Sequence, residues 1–224
     1  MTESQAREAI CRVGQSLFQR RLVHATAGNI SVRLDDGFLI TPTDACLGQL
    51  DPAQLARVDA HGQPISGARA SKTLALHQRI YQAALAADPG TRCVIHTHST
   101  HCVALSLRGV VQPGPFGPEL LPALTPYFVM KVGHVPLVPY HRPGDPAVAD
   151  LVAQAIGQHA RAGHPIRAVM LDRLGPNVWH DSPEQAMATL DELEETAHLW
   201  LLAPAEPLEP EQIDALRHQF GARW

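Results

Sequence analysis

The chain has 224 residues, of which 45% are hydrophobic and 18% are charged, and its formal net charge is −4 at pH 7. This length suits one domain with a three-layer core, and the composition excludes general disorder. The scattered basic residues exclude a nucleic-acid-binding surface, and no apolar run approaches the ~20 residues that a membrane span requires.

The N-terminus lacks a signal-peptide pattern, and the cysteines lack Cys-x-x-Cys spacing. We therefore expect a cytoplasmic protein in which all thiols are reduced. These thiols belong to Cys11, Cys46, Cys93 and Cys102.

Hydrophobic periodicity predicts helices that alternate with short strands. The predicted helices cover residues 3–22, 71–87, 100–107, 146–161 and 183–202, and a short helix follows the proline-rich segment 203–210. The predicted strands cover residues 30–34, 38–41, 58–62 with a turn, 92–97, 135–140 and 166–171. We expect Ser71, Ser99 and Ser182 to cap helices, and residues 112–118 to form a loop.

Several connections between these elements are too short for crossover helices, as in the hairpin predicted at Asp35-Asp36-Gly37. The pattern indicates an α/β fold with a mixed, largely antiparallel central sheet flanked by helices. We expect residues 1–224 to form one domain, in which 203–224 are a linker and a short terminal helix.

Two histidines one residue apart, His96 and His98, end the apolar run of a predicted strand. Residues two apart on a strand project from the same face, so both imidazoles are expected to leave the sheet together. Two aligned neutral imidazoles are half of a site for Zn²⁺ or Mn²⁺. Since the chain has 13 histidines, such a pair also arises by chance, and the surrounding segments must decide.

Residues suited to an anion occur in three other segments. Gly28-Asn29 can bring backbone N–H groups and an amide close to a phosphate, and Thr43 adds a hydroxyl. Ser71 and Lys72 add a hydroxyl and a cation at the predicted start of a helix, where negative charge is favoured. Together they predict a phosphate site beside a metal.

The order and spacing of these segments resemble the class II aldolase/adducin family, and most closely its 3-oxo-tetronate 4-phosphate decarboxylase branch. The resemblance extends over about residues 5–202. The motifs that carry it lie at residues 26–31, 39–44, 47–52, 71–72, 96–101, 126–133, 142–146 and 192–197.

The resemblance implies a three-layer fold, a homotetramer with active sites between subunits, and a divalent metal, zinc or manganese, that stabilises an enediolate. It implies that His96 and His98 are metal ligands. Tyr127 matches a tyrosine that reaches the neighbouring subunit's site as a proton donor. Lys72 belongs to a decarboxylase-like Ser-Lys pair, so we expect Tyr127 and Lys72 to be the catalytic residues and Lys72 to bind the substrate as well.

The same resemblance assigns phosphate binding to a set of small and polar residues. These residues are Gly28, Asn29, Thr43 and Ser71.

Two positions depart from the family pattern. Thr73 stands where the family usually has an acidic residue that acts as acid/base and metal neighbour. Leu174 stands where the family has its third metal histidine, so the metal is expected to be weakly held, differently coordinated or lost. The candidate substitutes are Asp172, His101, His134 and His141, and Arg173 is a candidate fixed cation in place of the metal.

The departures bear on function because decarboxylation of a β-keto acid requires less acid/base chemistry than aldol cleavage. We therefore predict a metal-dependent decarboxylase of a phosphorylated 3-oxo sugar acid. One alternative is a class II aldolase or lyase acting on a small phosphorylated ketone. The other is a non-catalytic, adducin-like member, which a site plugged by Leu174 and Arg173 would support.

Overall fold

An eight-stranded sheet forms the centre of the part of the chain that the computed structural model describes, residues 1–109 and 111–224. The strands in chain order are β1 (Asn29–Leu34), β2 (Gly37–Ile40), β3 (Ala56–Asp59), β4 (Pro64–Ser66), β5 (Cys93–His96), β6 (Gln112–Gly114), β7 (Gly117–Glu119), β8 (Leu137–Val138), β9 (Ala168–Leu171) and β10 (Gly175–His180). The order in the sheet is β4-β3-β2-β1-β5-β10-β9-β8, and β6 and β7 form a separate hairpin.

Neighbouring strands of the sheet are antiparallel except for the pair β8 and β9, which is parallel. The prediction of a mixed, largely antiparallel sheet is therefore confirmed. The hairpin predicted at residues 35–37 joins β1 to β2, with Ser31 opposite Ile40.

Helices cover both faces of the sheet. They are α1 (Glu3–Gln19), α2 (Leu74–Ala84), α3 (Thr100–Leu107), α4 (Pro126–Lys131), α5 (Pro146–Arg161), α6 (Pro183–Leu202) and α7 (Pro210–Phe220). Helices α1, α3, α4 and α6 supply one buried cluster with the sheet, and α2 and α5 supply the other. This is the three-layer arrangement that the sequence predicts.

Successive side chains of β5 enter the two clusters alternately, and this alternation gives the direction of the His96 side chain. Ile95 belongs to the cluster under α1, α3 and α6, whereas Val94 belongs to the cluster under α2 and α5. Because strand residues alternate between faces, His96 projects to the same side as Val94, toward α2.

Helix α2 begins later than the sequence predicts. Its N-cap is Thr73 and its first residue is Leu74, so the prediction that Ser71 caps the helix is wrong. Ser71 lies before the helix, and its backbone N–H donates to the carbonyl of Thr41 at 3.2 Å.

Three further elements differ from the sequence predictions. Residues 112–118, predicted as a loop, contribute to the β6–β7 hairpin. The short helix α4 begins at Pro126 after the cap Thr125, and its six residues are too few for a periodic signal. Strand β10 contains glycine, proline and asparagine, which disfavour strands locally, and it forms because β5 and β9 pair with it on both sides.

Among the described residues, no helix is both long and apolar enough to cross a membrane.

Candidate active site

The two histidines lie together at one end of the sheet. His96 is the last residue of β5 and is buried, and His98 lies two residues later, outside the strand and half-buried. Their ring centres are 5.1 Å apart. Two imidazoles that bind one cation at about 2.1 Å have ring centres roughly 5 Å apart, so this spacing suits a shared cation.

Both imidazoles are neutral near pH 7. Burial lowers the pKa of His96 to about 3, with a further contribution from His98, while the hydrogen bond to Pro176 opposes the shift. Burial and the neighbouring His24 lower the pKa of His98. A neutral imidazole is the form that binds a metal.

The tautomer of His96 follows from one contact. Its Nδ1 lies 3.0 Å from the carbonyl oxygen of Pro176, which can only accept. Nδ1 therefore carries the proton, and the lone pair of Nε2 is left for a ligand. Metal-binding histidines commonly use such a backbone carbonyl to fix their orientation.

The two histidines fit part of a cation site, since a third conventional ligand is missing. No group of three His, Cys, Asp or Glu side chains within residues 1–109 and 111–224 could hold a metal. The predicted substitutes contact other groups: His101 lies at Glu194, His134 at Glu119, His141 at the Pro139 carbonyl and Asp172 at Arg173.

Leu174 and Arg173 lie in the turn before β10. Leu174 packs against the apolar cluster under α2 and α5. The side chain of Arg173 is 57% exposed and its guanidinium faces Asp172 at 3.9 Å, while its backbone N–H donates to Ser106. Because its contacts are with these residues and not with the two histidines, the hypothesis that Arg173 replaces the metal is not supported.

Two glycines let neighbouring backbone approach the histidine segment. A Cβ at Gly28 would lie 2.9 Å from the carbonyl oxygen of His96, and a Cβ at Gly175 would lie 2.0 Å from that of Thr97. Both glycines also have positive φ values, +85° and +140°. The site end of the sheet therefore depends on glycine at both positions.

The residues predicted to bind phosphate lie at the same end of the sheet. Asn29 is directly opposite His96 in the pairing of β1 with β5. Pro42 pairs with Ala70 in an isolated bridge, which brings the segments that contain Thr43 and Ser71 side by side. Lys72 follows Ser71 and is exposed. The backbone pairing thus brings the predicted anion-binding segments together, next to the histidines.

Thr73 occupies the position of the missing acidic residue. Its hydroxyl lies 2.9 Å from that of Ser71, and the Ser71 hydroxyl accepts a weak hydrogen bond of 3.4 Å from the Thr73 backbone N–H. A neutral hydroxyl pair at the start of α2 can donate hydrogen bonds to an anion, but threonine cannot act as a carboxylate base at pH 7.

Tyr127 lies away from this end within one chain. It is the second residue of α4 and is 63% exposed. Its neighbour Phe128 belongs to the cluster on the opposite face of the sheet from the His96 side chain. A role for Tyr127 at the histidine site therefore requires a second subunit, as the family resemblance implies.

The sequence assigns no role to His77. His77 is fully buried on α2, its Nδ1 lies 2.7 Å from the Ser31 hydroxyl, and its Nε2 has no hydrogen-bond partner in residues 1–109 and 111–224. Burial, and secondarily His96, lowers its pKa to about 3. Its spacing is the sequence signal that predicts burial. His77 lies one helical turn after Thr73 and one turn before Tyr81, so it shares a helix face with Tyr81.

Asn177 was also missed, because β10 was not predicted. It is directly opposite His96 in the pairing of β10 with β5, so Asn29, His96 and Asn177 form a row across three strands. The side chain of Asn177 is fully buried, and neither its oxygen nor its nitrogen has a hydrogen-bond partner among the described residues.

Comparison with known proteins agrees with this architecture. The sequence model described as "Class II Aldolase and Adducin N-terminal domain" matches residues 8–201. The chain belongs to the class II aldolase and adducin family.

Among curated members of the class II aldolase and adducin family, the 3-oxo-tetronate 4-phosphate decarboxylase of Cupriavidus necator is 53% identical, over 100% of this chain and 99% of the relative. The protein of the same name from Escherichia coli K12 is 38% identical, over 92% of this chain and 91% of the relative.

A solved structure of the family has the same fold. YgbL of Klebsiella pneumoniae superposes with a TM-score of 0.84 at 37% identity, over 97% of this chain and 100% of that chain. The curated relatives are decarboxylases and aldolases, which are carbon–carbon lyases, and this family typically uses a divalent metal.

Proposed function

We propose that the chain is a decarboxylase of a phosphorylated 3-oxo sugar acid of the 3-oxo-tetronate 4-phosphate type, and that it uses a divalent cation held in part by His96 and His98. The observation that carries the proposal is the 53% identity, over the whole chain, to a curated decarboxylase of this substrate. The neutral histidine pair beside a set of anion-binding residues supports it independently.

The chain's own residues have distinct tasks in this reaction. Backbone N–H groups at Gly28-Asn29 and the hydroxyls of Thr43 and Ser71 bind the phosphate, and Lys72 balances the negative charge of the substrate. His96 and His98 present neutral nitrogens to Zn²⁺ or Mn²⁺. The cation, when bound, supplies electrostatic stabilisation where negative charge develops on the substrate's ketone oxygen.

The electrons of the reaction balance without an added co-reactant. The bond between the carboxylate carbon and C2 breaks, CO₂ leaves, and the electron pair passes through C2 to the ketone at C3. C2 then takes one proton, which gives a phosphorylated three-carbon hydroxyketone. Tyr127 of a neighbouring subunit, or water, donates that proton.

The neutral residue at position 73 favours decarboxylation over aldol chemistry, because loss of CO₂ needs no base to remove a proton from carbon. A site plugged by Leu174 and Arg173 would support the non-catalytic alternative. Arg173 is more than half exposed and faces Asp172 instead, so this alternative has less support.

We also propose a homotetramer with shared active sites, because the exposed Tyr127 has no task within one chain.

The proposed activity is tested by incubating the full chain, with and without Mn²⁺ or Zn²⁺, with 3-oxo-tetronate 4-phosphate and measuring CO₂ and the three-carbon product. We expect turnover that a chelator abolishes and that a variant carrying His96→Ala and His98→Ala lacks. Cleavage of L-fuculose 1-phosphate instead would favour the aldolase alternative. No turnover of either substrate in the metal-loaded protein would overturn the proposal.

The substrate-binding part is tested with Lys72→Ala, for which we expect an increase in KM of about tenfold from loss of a charged contact, with a smaller change in kcat. Arg161→Ala is the matched control, since Arg161 is an exposed cation near the end of α5, at the opposite end of the sheet. Equal KM values for the two variants would show that Lys72 does not bind the substrate.

A further inference from the structure

Residues 208–224 pack against the short helix α4 at both of its ends. The backbone N–H of Leu208 donates to the carbonyl of Ala123, three residues before α4, at 2.7 Å. A Cβ built on Gly133, two residues after α4, would lie 3.5 Å from the carbonyl oxygen of Arg223. This segment therefore contacts the chain just before α4 and just after it.

Trp224 contacts the middle of the same helix. The centre of its ring lies 5.7 Å from that of Phe128, a fully buried residue of α4, and the two planes meet at 62°. Trp224 also stacks on His134, with ring centres 4.3 Å apart. His134 is itself held in place, because its Nδ1 lies 2.9 Å from the buried carboxylate of Glu119. The indole therefore joins α4 to a buried pair outside it.

Polar contacts hold Trp224 in this position. Gly221 ends α7 in a left-handed conformation, with φ of +66°, which lets the chain turn back. The Nε of Arg217, on α7, donates to the backbone oxygen of Trp224 at 2.8 Å. The guanidinium of Arg223 donates to both carboxylate oxygens of Asp88, and such a two-pronged contact fixes direction as well as distance.

Helix α4 depends on these contacts because it has only six residues. An isolated helix of this length is unstable in water, so its packing determines where it lies. Tyr127 lies directly before Phe128 in the first turn of α4, and it is 63% exposed. A displacement of Phe128 therefore also displaces Tyr127.

We propose that Trp224 is a positioning residue for Tyr127: by packing on Phe128, it sets where the tyrosine projects toward the site of a neighbouring subunit. The inference rests on the function proposed above, in which Tyr127 donates the proton to C2. Proton transfer requires the donor within hydrogen-bond reach, and a misplacement of about 1 Å can cost about 100-fold in rate. Other residues bind the phosphate and the cation, so these two steps should not depend on Trp224.

The experiment measures CO₂ release from 3-oxo-tetronate 4-phosphate by the full chain carrying Trp224→Ala, in the presence of Mn²⁺. We expect kcat to fall at least about tenfold, while KM and the affinity for Mn²⁺ without substrate stay unchanged. Trp224→Phe keeps an aromatic ring and should restore most of the loss. Phe220→Ala is the matched control, since Phe220 is an aromatic residue at the end of α7 that is 57% exposed, and it should leave kcat unchanged.

A double variant separates positioning from a general structural effect. If Trp224 acts through Tyr127, adding Trp224→Ala to Tyr127→Phe should cause no further loss of kcat, because the proton donor is already absent. A purely structural effect would lower kcat by the same factor in both backgrounds. Circular dichroism verifies that each variant is folded. If Trp224→Ala does not fold, Trp224→Leu, which keeps apolar volume without a ring, takes its place in the same comparison.

The outcomes separate this inference from the proposed function. A native kcat in folded Trp224→Ala, or an equal further loss in the Tyr127→Phe background, would overturn the inference and leave decarboxylation in place. An unchanged kcat in Tyr127→Phe itself would refute the roles of both residues, again without affecting decarboxylation. If the native chain releases no CO₂ from the substrate, the proposed function fails, and this inference fails with it.

Discussion

The carboxylate of Glu194, on α6, accepts a hydrogen bond of 2.8 Å from the backbone N–H of His101. It also accepts one of 3.1 Å from the backbone N–H of Cys102. Glu194 therefore caps α3 from a different helix, whereas the hydroxyl of the N-cap residue Ser99 makes no capping bond. Since α3 begins two residues after His98, this carboxylate fixes one end of the histidine segment.

We expect Glu194→Ala to lower the free energy of unfolding by about 2–4 kcal/mol, because two charge-assisted hydrogen bonds are lost and buried N–H groups are left unpaired. The measurement is urea unfolding followed by circular dichroism. Glu195→Ala, at a neighbouring side chain that is 64% exposed, serves as the control. Similar losses in the two variants would show that the cap contributes little.

Gly175→Ala should destabilise the chain by about 3 kcal/mol, because the added methyl meets backbone and a positive φ is unfavourable for alanine. The new Cβ would lie 2.0 Å from the carbonyl oxygen of Thr97. Gly163→Ala has a φ of +85° but open space around the new methyl, so it should cost only about 1 kcal/mol. Chemical denaturation of both variants measures the difference, and equal costs would contradict the packing argument.

His159 should make stability depend on pH below neutrality. Burial, and then His134 and His164, lowers its pKa from 6.5 to about 4. Between these pH values the unfolded chain binds a proton that the folded chain does not. The contribution of His159 to the free energy of unfolding is therefore fully present above pH 6.5 and decreases as the pH falls toward 4.

Between pH 7 and pH 5 the free energy of unfolding should therefore fall by about 1 kcal/mol less in His159→Phe than in the native chain. Urea unfolding at both pH values measures this, and His61→Phe, at an exposed position, should leave the pH dependence unchanged. An unchanged pH dependence in His159→Phe would mean that other groups dominate it.

The shared active site predicts complementation between two defective variants. Tyr127→Phe should reduce kcat at least about 100-fold by loss of a proton donor, and His96→Ala should be inactive. In mixed tetramers from co-expression, about a quarter of the sites would combine an intact histidine pair with an intact neighbouring tyrosine. Recovered CO₂ release of that order supports shared sites, whereas a mixture no more active than its components would place Tyr127 outside them.

Local signals in the sequence predicted several elements accurately. Helix α5 runs over Pro146–Arg161 as predicted, because Asp145 accepts the capping bond and proline starts the helix. Helix α6 follows from Ser182 and Pro183 in the same way. Signals of this kind act within four residues, so a single sequence contains them completely.

The parts that sequence reasoning missed depend on contacts between distant segments. The position of Asn177 opposite His96 depends on the register of β10 on β5. Ser71 lies outside the helix predicted for it, and its backbone N–H bonds to the carbonyl of Thr41. His77 is polar by type, and its burial follows from how α2 packs on β1. The histidine pair itself was visible in the sequence, but its neighbours across the sheet were not.

The position of β5 between β1 and β10 has a consequence for folding kinetics. The bond from His96 to Pro176 joins residues 80 positions apart, so a large loop must close before the imidazole is held. Closure of such a loop costs entropy before its contacts form, and this cost slows folding. A cation that binds only the folded row stabilises the native state and is therefore expected to slow unfolding.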